Sequence, residues 1–408
     1  GDERLEDVLK ALGMNPKLEK LEMVGMNMGG TCGALANLLR SVAANLQELN
    51  LSVNVIDYEK VDALADALAN AKLRVLDLSS NPNIGTDECT SLANLLRSTA
   101  TTLQELSLCN NDIDDEGVDS LVEALANGTL QSLSLSRNNM TVRGCESLAT
   151  LLDNQDSILE TLYLTGVNVG DNGALILANK LARNCKLKDL SLHSNGITAR
   201  GCRGLAAVLE NSHSNLESLS LGSNNVGDEG ASIFANALTG NCKLKDLYLN
   251  DNGITAEGWS AFSKALCDTS SVNNTFLSNH TLSNLGMQRS MEPDVASLLE
   301  LNGICMDKRQ AAIEKILKYH RDFDMQPFLE WDLKVLPLAM KWFERARYVE
   351  NDDQVTESSV LYFPHSDDLE GINNHKLGAI YQFVRAMPEV FEPAPAAGEK
   401  GKRSASKV

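Results

Sequence analysis

Leucine returns along this chain at a nearly constant interval. Residues 187–209 read LKDLSLHSNGITARGCRGLAAVL. Leu187, Leu190 and Leu192 stand three and two apart, the spacing of a short strand whose leucines share one side. Asn195 follows, and its side-chain amide is suited to bond the backbone groups that a turning chain leaves unpaired. Leu205 and Leu209, four apart, predict one face of a helix. A single strand–helix unit of this kind cannot cover its own leucines, so it requires a neighbour on each side.

The neighbours are present. The first leucine of the unit recurs as Leu18, Leu46, Leu73, Leu103, Leu130, Leu159, Leu187, Leu216 and Leu244, at intervals of 27 to 30 residues, with Val272 opening a degenerate tenth copy. This period predicts a solenoid. Met26 or Asn27 takes the asparagine place in the first copy, Val167 in the sixth and His280 in the tenth, and Pro82 lengthens the third. Odd copies carry Thr-x-x-Gly at the helix start (Thr141 to Gly144, Thr198 to Gly201, Thr255 to Gly258). Even copies carry Asp shortly before the glycine (Asp115, Asp171, Asp228).

The unit resembles the L-x-x-L-x-L-x-x-N pattern of the leucine-rich repeat family, and its long, alternating copies resemble the ribonuclease-inhibitor class. The resemblance implies an α/β solenoid, a horseshoe with parallel strands inside and helices outside. It also implies a role in binding other proteins.

The expected organisation is an N-terminal cap helix over residues 1–17, repeats over 18–282, a helical C-terminal cap over 283–391 and a disordered tail over 392–408. Leu5, Val8, Leu9 and Leu12 give the first segment one apolar helical face. After residue 282 the period stops. Further helices are expected after Pro293, over 308–323, over the apolar stretch 327–348 and near 376–391. The Pro-, Ala-, Gly-, Lys- and Ser-rich residues from Glu392 predict disorder.

Charge narrows the partners. The chain carries a formal net charge of −19. Residues 1–282 hold 20 Lys+Arg against 35 Asp+Glu, so most of the excess sits on the repeats. That field repels nucleic acid and anionic membranes. The nine cysteines are odd in number and recur at repeat positions, such as Cys145 and Cys202 after the helix glycine. Burial as small apolar residues explains them better than disulfides or metal, which points to a reduced compartment, the cytoplasm first and the nucleus second. The six histidines form no ligand pair at helical spacing, and no nucleophile–base motif or phosphate loop is found. The expectation is therefore a monomeric, non-enzymatic protein with no cofactor and no metal.

In each strand the residues between the leucines face outward, onto a concave sheet. Most are Ser, Asn, Asp or Glu. The aromatic exceptions fall late in the array. The candidate protein-binding residues are Tyr163, Asp189, His193, Asp246 and Tyr248: aromatic rings supply apolar area and carboxylates suit a basic protein partner. The competing reading of these residues is an ordinary solvated face. Three other functions suit the same array. One is a GTPase-activating protein resembling the Ran type, for which Arg137, Arg143 and Arg200 are the arginines to inspect; another is the recognition half of an innate-immune-type receptor; the last is a plain spacer.

Overall fold

A computed structural model of the protein describes residues 2–320 apart from residues 16, 27–31, 69–70, 98–101, 127, 185, 287–290 and 306. The chain divides into two compact units. The first comprises Gly1–Leu266 with Ser278–Lys308, and the second Cys267–Leu277 with the described residues from Arg309.

In the first unit nine short strands form one parallel sheet in sequence order: β1 (Lys20–Glu22), β2 (Glu48–Asn50), β3 (Val75–Asp77), β4 (Glu105–Ser107), β5 (Ser132–Ser134), β6 (Thr161–Tyr163), β7 (Asp189–Ser191), β8 (Ser218–Ser220) and β9 (Asp246–Tyr248). Helix α1 (Asp2–Gly13) precedes β1. A helix follows each strand: α2 (Cys32–Val42), α3 (Tyr58–Leu68), α4 (Thr86–Leu96), α5 (Asp115–Leu125), α6 (Val142–Asp153), α7 (Gly170–Leu181), α8 (Ala199–Glu210), α9 (Gly227–Leu238) and α10 (Ala256–Leu266). The middle residue of every strand is a buried leucine, and the helices turn their own leucines to meet them. Leu190, Leu192, Leu205 and Leu209 are each at most 2% exposed. One core thus runs the length of the array, built from contacts between adjacent repeats.

The repeat asparagine holds the turn. Asn224 Nδ2 donates to the carbonyls of Leu192 (3.0 Å) and Leu221 (2.8 Å), and its Oδ1 accepts from the N–H groups of Asn195 (2.9 Å) and Ile197 (3.0 Å). Asn54, Asn81, Asn111, Asn138, Asn195 and Asn252 occupy the same place and are all buried. Met26 fills it in the first repeat, where its N–H donates to Asn54 Oδ1 at 2.8 Å. Each ladder side chain satisfies groups in two repeats, which would otherwise be buried unpaired at about 1–3 kcal/mol each. A second asparagine row was not anticipated. Asn184 and Asn241 each donate to a carbonyl of the preceding repeat, Leu152 and Leu209, at 2.7 and 2.8 Å.

The Asp and Thr-x-x-Gly alternation is one device. Asp171 Oδ1 accepts from the N–H of Thr198 (2.8 Å) and of Gly201 (3.0 Å), while Oδ2 accepts from the Thr198 hydroxyl (2.7 Å). Asp115 holds Thr141 and Gly144, and Asp228 holds Thr255 and Gly258, in the same way. A carboxylate in the first turn of one helix therefore caps the next helix, where free N–H groups and the helix dipole favour negative charge. Gly201 admits the contact: a Cβ there would lie 2.7 Å from Asp171 Oδ1 and 2.8 Å from Ile197 Cγ2.

The tenth copy requires a correction. Val272 opens no strand; residues Val272–Leu277 form a helix, α11, in the second unit. The strand-like segment lies ten residues later. Asn284 bridges Asp246, the N–H of Leu247 donates to Asn284 O (2.9 Å), and the N–H of Leu249 to Leu285 O (3.1 Å). Leu282 thus takes the place of the first leucine, and His280 does not stand in the asparagine position. Asn279 confirms the register: its Oδ1 accepts from the N–H of Leu282 at 2.8 Å, as Asn241 Oδ1 does from Leu244. The inserted helix hides this from a count of spacings. Leu249 and Leu266 of the last full repeat are both fully buried, and α12 (Pro293–Ile304) lies against α10.

The second unit contains α11 and most of α13 (Lys308–Tyr319). Within it the Thr275 hydroxyl donates to Asp268 O (2.8 Å) and lies 2.6 Å from His320 Nε2. The helices expected over 327–348 and 376–391, and the tail 392–408, lie outside the described residues.

Candidate functional site: the strand face of repeats six to nine

Strand pairing places Asp189, Ser218 and Asp246 in one row across β7, β8 and β9, with Asn284 beyond them. The next row is Tyr163, Ser191, Ser220 and Tyr248. Four of the five candidate residues form one cluster. The Tyr163 and Ser218 hydroxyls act on the Asp189 carboxylate and favour its charge. The Asn284 amide acts in the same sense on Asp246 and on the Tyr248 phenol. Its own oxygen is taken by the Gly286 N–H at 2.9 Å, which orients the amide nitrogen toward the cluster.

The electrostatics set these carboxylates apart from a solvated acidic face. Burial pushes the Asp189 carboxyl above the usual carboxylate range, and the charge of Asp246 adds to the rise; the Ser218 and Tyr163 hydrogen bonds oppose it. Asp246 is raised by burial as well, against Asn284 and Lys245. Lys245 itself bridges Glu217 at 2.6 Å. Both phenols are raised, first by burial and then by Asp189 or Asp246. Burial thus opposes charge on either carboxylate, a cost that an added cation would relieve.

His193 stands apart. It lies beyond the end of β7, at Gly222 rather than at the aspartates. A Cβ on Gly222 would come 2.6 Å from His193 Nδ1 and 2.8 Å from both Asn250 side-chain tips. His193 and Asn250 therefore close over a position left empty by glycine. Gly222, Asn250 and Asn284 all escaped the sequence reading. The first two were within reach of the repeat register, whereas Asn284 was hidden by the ten-residue displacement of the last strand.

The three arginines do not converge on this face. Arg137 sits in the turn before Asn138 with a left-handed φ of 55°. Arg143 pairs with Asp119 at 3.1 Å on the helix side, and Arg200 donates to Asn172 at 3.2 Å. Cys89, Cys145 and Cys202 are free and buried among the helices, and burial pushes the Cys145 and Cys202 thiols up to about 12. Among the described residues no group of three or more His, Cys, Asp or Glu side chains could hold a metal ion. No described helix is long and apolar enough to cross a membrane.

Comparison with known proteins matches the leucine-rich repeat family over residues 69–93, 99–122, 126–149, 183–206, 212–235 and 240–263. The ribonuclease inhibitor of Mus musculus is 32% identical over 249 residues, covering 58% of this chain and 53% of that protein. That of Sus scrofa is 31% identical over 245 residues, with the same two shares. NACHT, LRR and PYD domains-containing protein 3 of Homo sapiens is 31% identical over 242 residues, 55% of this chain and 23% of that protein. The chain spans about half the length of the ribonuclease inhibitors it matches.

Proposed function

The chain is a leucine-rich repeat protein with ribonuclease-inhibitor-like repeats, and from that premise we propose that it is a non-enzymatic scaffold whose strand face binds a basic protein partner. The observation that carries this reading is the cluster of Tyr163, Asp189, Asp246 and Tyr248. Two half-buried carboxylates with raised pKa, flanked by two tyrosines, suit the lysine or arginine of a partner. An incoming cation relieves the repulsion between the aspartates, and the rings contribute apolar area with few rotamers to freeze. His193 is a contact at the rim of this surface. The names of the relatives support protein binding in general terms, and the buried free thiols favour the cytoplasm.

The test is capture of partners from the native source with Tyr163→Ala and Tyr248→Ala, set against Ser132→Ala and Ser134→Ala on β5. An anchoring tyrosine should cost about 2 kcal/mol, roughly thirtyfold in affinity. If both tyrosine variants retain the partner as well as the serine controls, the surface is wrong. Rising ionic strength should also slow association, since the attraction is between charges.

A further inference from the structure

The turns that lead from strand to helix are polar in every repeat but the second. There Val53 and Val55 flank the ladder residue Asn54. In the other repeats both places hold Gly, Pro or a polar residue, such as Ser80, Asn110 and Asp251 before it and Asp112, Asn139 and Asn225 after it. Val53 is 56% exposed, Val55 45%, and Tyr58, in the first turn of α3, 50%. Among the described residues of repeats two to nine, Ile158 and Tyr163 are the only other large apolar side chains left exposed. A missing neighbour is not the cause, since β2 pairs with β1 on one side and β3 on the other.

The backbone of this turn is unusual in two further ways. Val53 has a left-handed φ of 59°, a conformation that Gly and Asn tolerate and a β-branched residue rarely adopts. The turn is also untied from the next repeat. Asn54, Asn111, Asn138, Asn195, Asn224 and Asn252 each accept at least one N–H from the turn before them. Asn81, which follows the valine turn, is fully buried, yet its Oδ1 accepts no hydrogen bond among the described residues. Its Nδ2 still holds the carbonyls of Leu51 and Leu78 at 3.1 and 2.8 Å, so the bonds that fail are those from the valine turn. Exposed apolar area, a left-handed valine and an orphaned acceptor each cost stability, and all three coincide in one turn. Such costs gather where a segment serves an outside contact.

We propose that the Val53–Tyr58 turn is a docking site for a protein segment that sets apolar side chains beside lysine or arginine. Charge names the flanks of that segment. Asp57 and Glu59 rim the turn, and Asp87 holds the place of Glu59 in the next repeat; Glu59 and Asp87 are exposed. Lys60, the cation of this turn, is taken up within it: its Nζ bonds Asp57 at 2.7 Å and Val55 O at 3.0 Å, and its side chain is 12% exposed. An acidic rim repels a second copy of itself and an anionic membrane, and attracts a basic segment. The two valines and the Tyr58 ring then supply the apolar contact. This site is separate from the β6–β9 face, because β2 and β6 stand four strands apart, roughly 19 Å.

The test is selection from a phage-displayed library of random peptides on the full chain, with the enriched peptides synthesised and titrated. They should carry apolar residues next to Lys or Arg, and Val53→Asn combined with Val55→Asn should weaken them about tenfold or more. Asparagine is what other repeats place in these positions, so the double variant should fold, and relief of the left-handed valine should raise its urea midpoint above that of wild type. Glu59→Lys should weaken the same peptides, more at low salt than at high. Enriched peptides without basic residues, equal affinity for the double variant, or a lowered midpoint, which would make the valines structural, each overturns the proposal. So does self-association, or binding of phosphatidylcholine vesicles, that the double variant loses, since either names a different occupant. Peptide affinity that falls with Tyr163→Ala and not with the double variant places the peptides on the strand face, which overturns this site and leaves the proposed function standing.

Discussion

Aspartate appears in two settings in the late repeats, and the settings are opposites. On the helix side Asp115 and Asp171 pass their charge to a neighbouring helix start. Burial works against their ionisation, but the hydrogen bonds from threonine and glycine outweigh it and hold both below the usual carboxylate range. On the strand face Asp189 and Asp246 meet hydrogen bonds too weak to offset burial, and they stand above that range. One set contributes stability; the other withholds it. A repeat array can therefore be tied together along its helices while its sheet keeps charge poised for something outside the chain.

The comparison can be broken first at glycine. Gly201→Ala drives a methyl into Asp171 and Ile197, and its Cβ also meets the Asp171 Cα at 3.2 Å, so neighbouring backbone must move. We expect a loss of about 2–3 kcal/mol in chemical denaturation. Gly222→Ala on the strand face first meets the side-chain tips of His193 and Asn250, which can rotate away, and should change stability by less than about 0.5 kcal/mol. Equal losses at the two glycines would mean that the strand face is as tightly built as the helix side.

Asp171→Ala comes next, at about 1–2 kcal/mol, because it strips a helix of its cap. The pH dependence carries a sign. A carboxylate with a lowered folded pKa stabilises the protein above the unfolded value and loses that contribution as pH falls through the folded pKa. The variant should consequently lose less stability than wild type on acidification, read from denaturation midpoints between neutral and acid pH.

The smallest effect sharpens the contrast most. Asp189 has a raised folded pKa, so its contribution is present below the usual carboxylate range and lost as pH rises through the folded value. Asp189→Asn should raise stability at neutral pH by up to about 1 kcal/mol while weakening capture of the partner. A destabilised Asp189→Asn that still binds would reverse the roles given to the two sets of aspartates.

Much of this was legible from spacing. Leu187, Leu190, Leu192 and Asn195 announce a strand and its turn, and Asn195 bonds the Leu164 carbonyl at 2.7 Å, as a turn asparagine should. Thr198 and Gly201 were visible as a pattern without a meaning. Their meaning lies in Asp171, which belongs to the preceding repeat. Of the five candidate residues, the fold gathers Tyr163, Asp189, Asp246 and Tyr248 and leaves His193 with Asn250, a division that outward-facing register alone could not make.

The sequence by itself determined the period, the leucine side of each strand, the asparagine turn and the acidic character of the array. These follow from contacts within one repeat or between identical places in successive repeats, where counting along the chain is equivalent to measuring across it. Only the tertiary structure decided where the last strand begins, which donors answer each carboxylate, and which aspartates remain half-buried with a raised pKa. Asn284 reaches Asp246 across 38 residues with a helix inserted between them, so its partner is set by pairing in space. Burial likewise depends on what neighbouring repeats place around a carboxyl group, and the same residue type at similar spacing is stabilising in one layer and costly in the other.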